Sequence, residues 1–319
     1  MNLGYACINM SLAKQKITTG RTCRYATLLK EGIQHASKLA LENCKDLITI
    51  LEWNQKNDIH FFRVGSDILP WGNKIDPKDY PDFNEICSLL QKAGWIARES
   101  NQRLTFHPGP FNLLASPKPE VVENTIKDLE MHSLIFDLMG LDQSHYNKIN
   151  IHIGATYGDK VKAANTWVEN YNKLSDSVKS RLTVENDDKA SMFSVKDLYY
   201  MVFARTGVPI VFDYHHHRFN DGGLSEQAAL ELAISTWGYT KPVVHYSESK
   251  SVHEENMKIR PQAHSDFVNG PINLYGHDVD VMVEAKAKDL AILKLKHLTN
   301  EHNKTIITEN SNLENNWVY

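Results

Sequence analysis

The sequence of 319 residues contains few cysteines and no long hydrophobic runs. No stretch of about 18 or more apolar residues occurs, which excludes a membrane-spanning helix of ordinary length. The opening segment, MNLGYACINM, lacks the basic and then apolar pattern of a secretory signal. The four cysteines show no paired spacing, so we interpret them as reduced thiols. We therefore expect an intracellular protein that makes no contact with a membrane.

An excess of basic residues is missing as well. The chain has 35 Lys and Arg against 39 Asp and Glu, a formal net charge of −4. Proteins that bind nucleic acids usually contact phosphates through surplus Lys and Arg, so this balance argues mildly against a nucleic-acid ligand. The objection weakens if divalent cations supply positive charge at the site. The 15 histidines are many for this length and direct attention to metal binding.

The signatures of several enzyme classes are also absent. No G-x-G-x-x-G motif follows the first predicted strand, and no P-loop is present. No Ser/His/Asp or Cys/His arrangement for a covalent nucleophile stands out. These absences favour chemistry that depends on bound metal over dinucleotide binding or nucleophilic side chains.

The distribution of β-branched residues predicts eight strands that alternate with helices. The predicted strands are 3–9, 59–65, 103–109, 148–154, 181–187, 209–216, 242–248 and 279–285, and the predicted helices include 26–56, 83–100, 118–140, 160–174, 194–206 and 225–236. This alternation favours an α/β fold whose parallel strands close into a (β/α)₈ TIM barrel. An open doubly wound sheet is the alternative, but its usual glycine motif is missing. We predict one barrel domain over 1–299 and a polar tail over 300–319.

Polar residues stand at the ends of most predicted strands. They are Asn9, His107, His152, Glu185, Asp213, His245 and Glu284. In a closed barrel these ends converge on the carboxyl-terminal rim, where active sites of this fold lie. Because side chains alternate along a strand, the last inward residue of each strand can point into one cavity.

Histidines and carboxylates that meet in one cavity need a compensating charge. Divalent cations relieve both the repulsion between carboxylates and the cost of burying them. Mixed imidazole and carboxylate ligands suit zinc, manganese or iron. His216, three residues after Asp213, and His264 could add further ligands. One histidine at a strand end is more often a structural residue, but recurrence on successive strands favours a metal centre.

Two reactions are compatible with such a centre. Water activated by metal could hydrolyse a phosphodiester. Metal-assisted sugar isomerisation uses similar ligands on the same fold, and the spacing of the ligands does not separate the two reactions.

Seven segments carry a more specific pattern. They are FHPGPF (106–111), INIHIGATYGDK (149–160), LTVENDDK (182–189), VFDYHHH (211–217), VHYSE (244–248), RPQAH (260–264) and VMVEAK (281–286). In this order they resemble the UV-damage endonuclease family (UVDE/UvsE), relatives of endonuclease IV within the xylose-isomerase-like barrels. The resemblance extends from LGYACIN near the start to DVMVEAK at 280–286.

The resemblance implies a ligand set and an activity. The implied ligands are His107, His152 and Glu185 for one ion, Glu185, Asp213, His245 and Glu284 for a second, and His216 with His264 for a third. The ligands of the first two ions are also the implied catalytic residues. Two or three divalent ions are expected, with Mn²⁺ favoured and Zn²⁺ or another divalent ion as alternatives. The implied reaction cuts damaged double-stranded DNA directly 5′ to pyrimidine dimers and related lesions, leaving a 3′-hydroxyl and a 5′-phosphate, and we expect a monomer.

Four residues are implied to contact the lesion. Tyr5 and Asn9 match a family pair on the first strand, where an aromatic face beside an amide suits extruded bases. Pro110 and Phe111 occupy the place of a Gln and an aromatic residue that the family uses as a wedge. Proline can also act as an apolar wedge, so we expect duplex distortion to persist while lesion range or affinity changes.

A second departure concerns Val243. The family has a lysine at this position, two residues before the histidine of the seventh strand, whereas Lys286 matches a family lysine. Several basic residues near the rim are candidates for contact with the DNA backbone. They are Lys14, Lys16, Arg21, Arg24, Lys250, Lys258 and Arg260.

Three alternatives remain for comparison. An abasic-site endonuclease of the endonuclease IV type would supply an Asp-x-His pair for its third ion, whereas RPQAH offers only His264. A sugar isomerase would have no use for Phe111 as a wedge. A metal-binding protein without catalysis is disfavoured by the complete ligand set.

Overall fold

Eight short parallel strands form the centre of the fold. The computed structural model of the chain describes residues 1–298, and the predicted tail over 300–319 lies outside them. The strands are β1 (Leu3–Ala6), β2 (Phe61–Arg63), β3 (Arg103–Thr105), β4 (Ile149–His152), β5 (Leu182–Glu185), β6 (Ile210–Asp213), β7 (Val243–Tyr246) and β8 (Asp280–Val283).

The strands close into a barrel. They pair in the order β3–β2–β1–β8–β7–β6–β5–β4, and each pair is parallel. A parallel bridge between Phe106, just after β3, and Ile149 in β4 joins the two ends of this order. The predicted (β/α)₈ barrel is confirmed, because an open doubly wound sheet would leave two edges without a partner.

Helices link the strands and cover the outside of the barrel. They are α1 (Met10–Ala13), α2 (Tyr25–Glu31), α3 (Ile33–Lys56), α4 (Phe83–Glu99), α5 (Pro119–Leu138), α6 (Lys160–Tyr171), α7 (Asp176–Lys179), α8 (Val195–Leu198), α9 (Ala204–Thr206), α10 (Tyr214–His217), α11 (Glu226–Ile234) and α12 (Lys250–His253), with a π-helical turn at Tyr199–Phe203 and 3₁₀ turns at Pro77–Asp79, His145–Asn147 and Ser235–Trp237. Residues 289–298 are also helical. Between residues 1 and 298, no helix has both the length and the apolar character that crossing a membrane requires.

The long helix predicted over 26–56 is divided at Gly32. This glycine has φ +75°, a conformation that side chains with a Cβ rarely adopt, and it separates α2 from α3. The strands are also shorter than predicted. β6 ends at Asp213, and the chain then turns into α10, so the strand predicted for 214–216 is wrong. The Asp213 Oδ1 accepts a hydrogen bond from the His216 backbone N–H at 2.8 Å and caps that helix.

Apolar side chains fill two regions. The larger lies between the barrel and its helices and includes Trp167, Phe136 and Phe62. The smaller is a cluster that fills the interior of the barrel. Its members are Ala6, Phe61, Val211, Trp237, Val243 and Met282. Because side chains alternate along β2, Phe61 belongs to the inner cluster and Phe62 to the outer one.

A buried ion pair closes the amino end of the barrel. Arg103 and Asp280 are both fully buried, and Nη1 of the arginine lies 3.2 Å from Oδ2 of the aspartate. The guanidinium also donates to the backbone carbonyls of Tyr146, Lys241 and His145 at 2.7, 2.9 and 3.2 Å. The charge is therefore held by a carboxylate and three carbonyl oxygens.

Candidate metal centre

Glu185 lies at the middle of the carboxyl-terminal rim. It is the last residue of β5 and is only 1% exposed. Its Oε2 lies 3.1 Å from His107 Nε2 and 3.0 Å from His245 Nδ1. Its Oε1 lies 3.4 Å from His216 Nδ1 and 3.9 Å from His152 Nε2. One buried carboxylate is therefore surrounded by imidazoles from four segments of the chain.

Asp213 and Glu284 add two more carboxylates to this rim. Asp213 ends β6 and is fully buried, with its Oδ1 3.9 Å from His216 Nδ1. Glu284 follows β8, and its Oε1 lies 3.4 Å from His245 Nδ1 and 2.5 Å from Arg63 Nη1. These contacts show why the fold brings together residues that are more than 100 positions apart in the chain: parallel strands end at one rim.

The side chains at the rim form three overlapping groups that could each hold a metal ion. In each group, one ligand atom per residue lies within 4.8 Å of the others. The groups found among residues 1–298 are His107, His152 and Glu185, then Glu185, Asp213 and His216, and then Asp213, His245 and Glu284. Glu185 and Asp213 each belong to two groups, so each could be shared by two ions.

Buried polar atoms without a hydrogen bond support this interpretation. Asp213 Oδ2, His245 Nδ1 and His152 Nδ1 are buried, and none of them has a hydrogen-bond partner. His245 Nδ1 is close to two carboxylates and His152 Nδ1 is 3.2 Å from Asp187 Oδ1, but the angles do not suit hydrogen bonds. Unsatisfied buried polar atoms are costly and uncommon. The donor set and its unpaired lone-pair atoms therefore fit divalent cations.

Burial disfavours the charged form of each titratable group at the rim. The charges of neighbouring residues determine which groups are nevertheless ionised. Burial raises the pKa of Asp213 to about 7, with Glu185 and Glu284 adding to the effect. Burial alone would lower the pKa of His152, but Glu185 and Asp187 outweigh it and raise that pKa to about 9. Burial also opposes ionisation of Glu185, yet the surrounding histidines hold its pKa well below the usual range. A bound cation would favour the ionised form of each carboxylate.

Contacts with backbone carbonyls orient two of the histidines. His107 Nδ1 lies 3.2 Å from the carbonyl oxygen of Pro108, and His216 Nδ1 lies 2.9 Å from that of Asn186. A carbonyl that accepts Nδ1–H leaves Nε2 with a free lone pair, the usual arrangement for an imidazole ligand. His107 is thus held with Nε2 toward Glu185, whereas the Nδ1 of His216 that contacts Asn186 is also the ring atom 3.4 Å from Glu185 Oε1.

His264 is the one predicted ligand outside the three groups. Its ring centroid lies 5.3 Å from that of His215, on the long segment after β7. The structure brings His216 together with Glu185 and Asp213, whereas the resemblance implied a site shared by His216 and His264. The reason is α10, which turns His216 back toward the end of β5.

Tyr5 and Asn9 do not present the surface expected for contact with a lesion. Both are buried, and the Tyr5 hydroxyl donates to Asn54 Oδ1 at 2.6 Å and accepts from Asn9 Nδ2 at 2.9 Å. The Oδ1 of Asn9 accepts from the Leu12 backbone N–H and caps α1. Because the aromatic face of Tyr5 is covered, stacking on extruded bases is not available in this conformation.

Pro110 and Phe111 lie at the tip of an exposed turn beyond β3. Both are exposed, and the Phe111 side chain is 85% exposed to solvent. The turn borders a cavity of about 700 Å³ that also reaches His107. Loops after β1 and β2 and the face of α5 form the rest of its wall, which includes Asn73 and Asp128. The exposed aromatic ring, the cavity and one predicted ligand thus lie side by side on the rim.

The predicted basic residues differ in their surroundings. Arg21 is engaged by Asp46 at 2.6 Å, and Lys250 by Glu254 and Asp266 at 3.2 Å each. The exposed members are Lys14, Lys16, Arg24, Lys258 and Arg260. The exposed ones lie on loops beyond β1 and β7, so they flank the rim on two sides.

Sequence analysis missed several polar residues that support the centre. Asn150 Nδ2 donates to Glu185 Oε2, and Thr183 Oγ1 donates to Asn150 Oδ1 at 2.8 Å. Lys148 is fully buried, and its Nζ lies 3.3 Å from His245 Nε2. Burial holds the pKa of Lys148 well below its usual range.

A period-two pattern could have revealed some of them. Lys148, Asn150 and His152 alternate with two isoleucines, so all three polar side chains belong to the inward face of β4. The prediction of ligands from strand ends includes only the last inward residue of each strand, so Lys148 and Asn150 were missed. Arg63 carried a similar signal, a charged residue at the end of an otherwise apolar strand.

Comparisons with known proteins give a consistent result. A family model described as UV-endonuclease UvdE matches residues 1–317. The UV-damage endonuclease of Schizosaccharomyces pombe is 37% identical over 309 residues, which cover 92% of this chain and 50% of that protein. The chain thus spans about half the length of this relative.

Solved structures agree with the fold. The crystal structure of SacUVDE has a TM-score of 0.82 at 31% identity and covers 95% of this chain and 99% of that one. Endonuclease IV from Thermus thermophilus has a TM-score of 0.50 at 14% identity, covering 75% of this chain and 87% of that one. The second likeness concerns the fold alone.

Proposed function

Because the chain belongs to the UV-endonuclease UvdE family, we propose that it is a metal-dependent UV-damage DNA endonuclease. The proposed reaction hydrolyses the phosphodiester directly 5′ to pyrimidine dimers and related lesions and leaves a 3′-hydroxyl and a 5′-phosphate. The observation that carries the proposal is the set of three overlapping ligand groups at one mouth of the barrel. The name of the relative from Schizosaccharomyces pombe, a UV-damage endonuclease, supports the substrate.

Each of the three ligand groups would bind one ion. His107, His152 and Glu185 would hold one ion, and the two groups that contain Asp213 would hold others. When bound, divalent cations would polarise a phosphodiester oxygen, activate the attacking water and stabilise the leaving oxygen. His264 lies close enough for its pKa to respond to Glu284 and His216, and we retain it as a ligand that could complete the third site.

Protein groups around the ligands keep this arrangement rigid. Asn150 fixes one carboxylate oxygen of Glu185 from below, and Arg63 fixes Glu284 through its guanidinium. The Asp213 carboxylate is fixed by the His216 backbone N–H, which donates to it at 2.8 Å, and the Asp213 backbone N–H donates to Asn186 Oδ1 at 2.8 Å. Rigid ligands need little reorganisation when substrate arrives, which favours stabilisation of charge in the transition state.

Phe111 and the adjacent cavity suit a distorted duplex. An exposed aromatic ring at a loop tip can insert between base steps and unstack them, and Pro110 adds to its apolar surface. The cavity of about 700 Å³ beside it has room for a base that has left the stack. A dimer stacks poorly, so its extrusion costs less than that of normal bases and gives selectivity.

A plasmid-nicking assay tests the proposal. Supercoiled plasmid, with and without ultraviolet irradiation, would be incubated with chelated protein and with protein reloaded with Mn²⁺, Zn²⁺ or Mg²⁺. We expect nicking of irradiated plasmid only, and only after a divalent ion is restored. Equal nicking of both plasmids would reject lesion specificity, whereas cleavage restricted to plasmid with abasic sites would favour an endonuclease IV-like activity. Full activity in the presence of a strong chelator would reject metal dependence.

A further inference from the structure

A buried lysine inside the barrel has no part in the reaction proposed above. Lys148 immediately precedes β4 and is fully buried. Its Nζ lies 3.3 Å from Nε2 of His245, a residue of the third ligand group. Among residues 1–298, no carboxylate oxygen lies within 4.0 Å of this amine, although Glu185 and Glu284 are near enough to influence it.

Burying this amine costs free energy, so we expect Lys148 to have a role at the ligand groups. Lysine is almost never fully buried without a charged partner, because the amine loses its hydration. An unbranched apolar residue of similar length would fill the same volume at lower cost. The neighbouring inward position of β7 shows such a solution: Val243 is fully buried in the apolar interior cluster.

The contact determines which nitrogen of His245 faces the rim. Nδ1 lies 3.0 Å from Glu185 Oε2 and 3.4 Å from Glu284 Oε1, and it makes no hydrogen bond. Nε2 points the other way, into the barrel, where Lys148 Nζ is its hydrogen-bond partner. The ring is thus held from below, with its unpaired nitrogen directed at two carboxylates. For Nδ1 to offer its lone pair to a cation, Nε2 must carry the ring proton, so Nε2–H donates to Lys148 Nζ as a neutral amine, the form that full burial favours.

The other oriented histidines use a different kind of partner. His107 and His216 are each held at Nδ1 by a backbone carbonyl, of Pro108 and Asn186 respectively. His245 lies within β7, where the neighbouring backbone groups pair in the sheet. A side chain that reaches up from the interior is therefore required, and Lys148 supplies it.

We propose that Lys148 is a positioning residue of the metal centre, which holds Nε2 of His245 and thereby directs Nδ1 to a cation shared with Asp213 and Glu284. The proposal rests on the proposed metal-dependent function. Partners of this kind fix the orientation of metal-ligating histidines, and their loss typically lowers metal affinity by roughly 10–100-fold. The role differs from ligation, because Lys148 itself contacts no ion.

The test compares Lys148→Met with the wild type. Both proteins would be stripped with a chelator, their thermal unfolding recorded, and Mn²⁺ titrated into each by calorimetry. We expect the apparent affinity of the Mn²⁺ sites to fall by roughly 10–100-fold in Lys148→Met. The melting temperature of the stripped variant should equal or exceed that of the wild type, because an isolated buried amine is replaced by an apolar group of the same length. A merely structural lysine would give the opposite result, a lower melting temperature with unchanged affinity.

Lys288→Met is the matched control. Lys288 is also influenced by Arg63 and Glu284, so its substitution removes a lysine amine from the same neighbourhood. Its amine makes no hydrogen bond to a histidine of the described residues, and its loss should leave Mn²⁺ affinity unchanged or slightly tighter. A Lys148→Gln variant, whose amide can still engage Nε2, should recover part of the lost affinity.

The proposed metal centre and the proposed role of Lys148 can be rejected separately. If the wild type shows no saturable Mn²⁺ binding, the proposed metal centre is overturned, and the role of Lys148 with it. If the wild type binds Mn²⁺ and Lys148→Met binds it equally well, the positioning role alone is overturned. An equal loss of affinity in Lys148→Met and Lys288→Met would also overturn it, because the contact with His245, which only Lys148 makes, would then not be the cause.

Discussion

At the amino end of the barrel, Arg103 and Asp280 are buried together with nearly every hydrogen-bonding atom of the guanidinium satisfied. At the carboxyl end, Glu185 and Asp213 are equally buried, but several atoms around them have no partner. At the amino end Arg103 balances the charge of Asp280. At the carboxyl end the carboxylates could be balanced by cations bound from solution. A buried polar cluster whose atoms are all paired stabilises the fold. A cluster whose lone-pair atoms are unpaired is organised to bind cations.

The largest effect is expected from Glu185→Gln at the carboxyl end. The substitution keeps the shape of the side chain but removes the charge shared by two ligand groups. We expect nicking of irradiated plasmid to fall by roughly 1000-fold or more, the upper range for loss of one electrostatic group at an active site. Single-turnover nicking at saturating Mn²⁺ measures it, with circular dichroism to show that the variant is folded. Activity within about tenfold of the wild type would remove Glu185 from the proposed centre.

The next effect is expected from Arg103→Leu at the amino end. Asp280 would keep Lys241 at 3.2 Å and the Asn2 N–H but lose its fully buried partner. Removing one member of a buried pair typically costs about 3–5 kcal/mol, and we expect the lower end of that range here. Urea unfolding measures the free energy of unfolding, and the folded fraction should still nick irradiated plasmid. The matched variant is Arg63→Leu, at a rim pair whose members are 14% and 15% exposed.

The two arginine variants should respond differently to metal. Saturating Mn²⁺ should recover most of the stability lost in Arg63→Leu, because a cation at the rim replaces the guanidinium near Glu284. Mn²⁺ should not recover the stability lost in Arg103→Leu. Equal recovery in both variants would contradict the distinction between a complete end and a metal-dependent end.

A pH effect sharpens the same distinction in the metal-free protein. Burial raises the folded-state pKa of Asp213 to about 7, above its unfolded value of 3.8. Such a group favours the folded state fully below its unfolded pKa, and this contribution is lost as the pH rises through the folded pKa. Asp213→Asn does not titrate. The wild type should therefore lose about 2–3 kcal/mol relative to Asp213→Asn between pH 5 and 8.

Urea unfolding in a chelating buffer at several pH values measures this difference. Mn²⁺ should reverse its sign at pH 8, because the ionised aspartate then has a cation beside it. A stability difference that stays constant from pH 5 to 8 would show that Asp213 is not protonated in the metal-free site.

The smallest effect is expected from Phe111→Ala, outside the ligand groups. Loss of one exposed aromatic wedge should weaken binding to irradiated duplex by about tenfold, within the range of a single stacking contact. Hydrolysis of a premelted substrate with the same lesion should change little, because the ligands are intact. Fluorescence anisotropy measures binding to the irradiated duplex, and a single-turnover cleavage assay measures hydrolysis of the premelted substrate. An equal loss in both measurements would exclude a wedge.

Much of this architecture could be predicted from the sequence, because barrels are specified locally. Eight apolar runs with β-branched residues, each followed by a helical pattern, predict the order of elements and the rim. The polar residue at each strand end predicts which side chains meet. The ends of the elements could not be predicted well, since a cap such as Asp213 ends a strand and begins a helix at one residue.

The sequence by itself determined the barrel, the family resemblance and the identity of the residues at the rim. Only the tertiary structure decided how those residues are grouped, that His216 lies beside Glu185 and Asp213, and that Tyr5 is covered. It also decided that Lys148 reaches His245 from below. The physical reason is that strand periodicity fixes the face on which a side chain lies, whereas its neighbours across the barrel depend on the register of eight strands packed together.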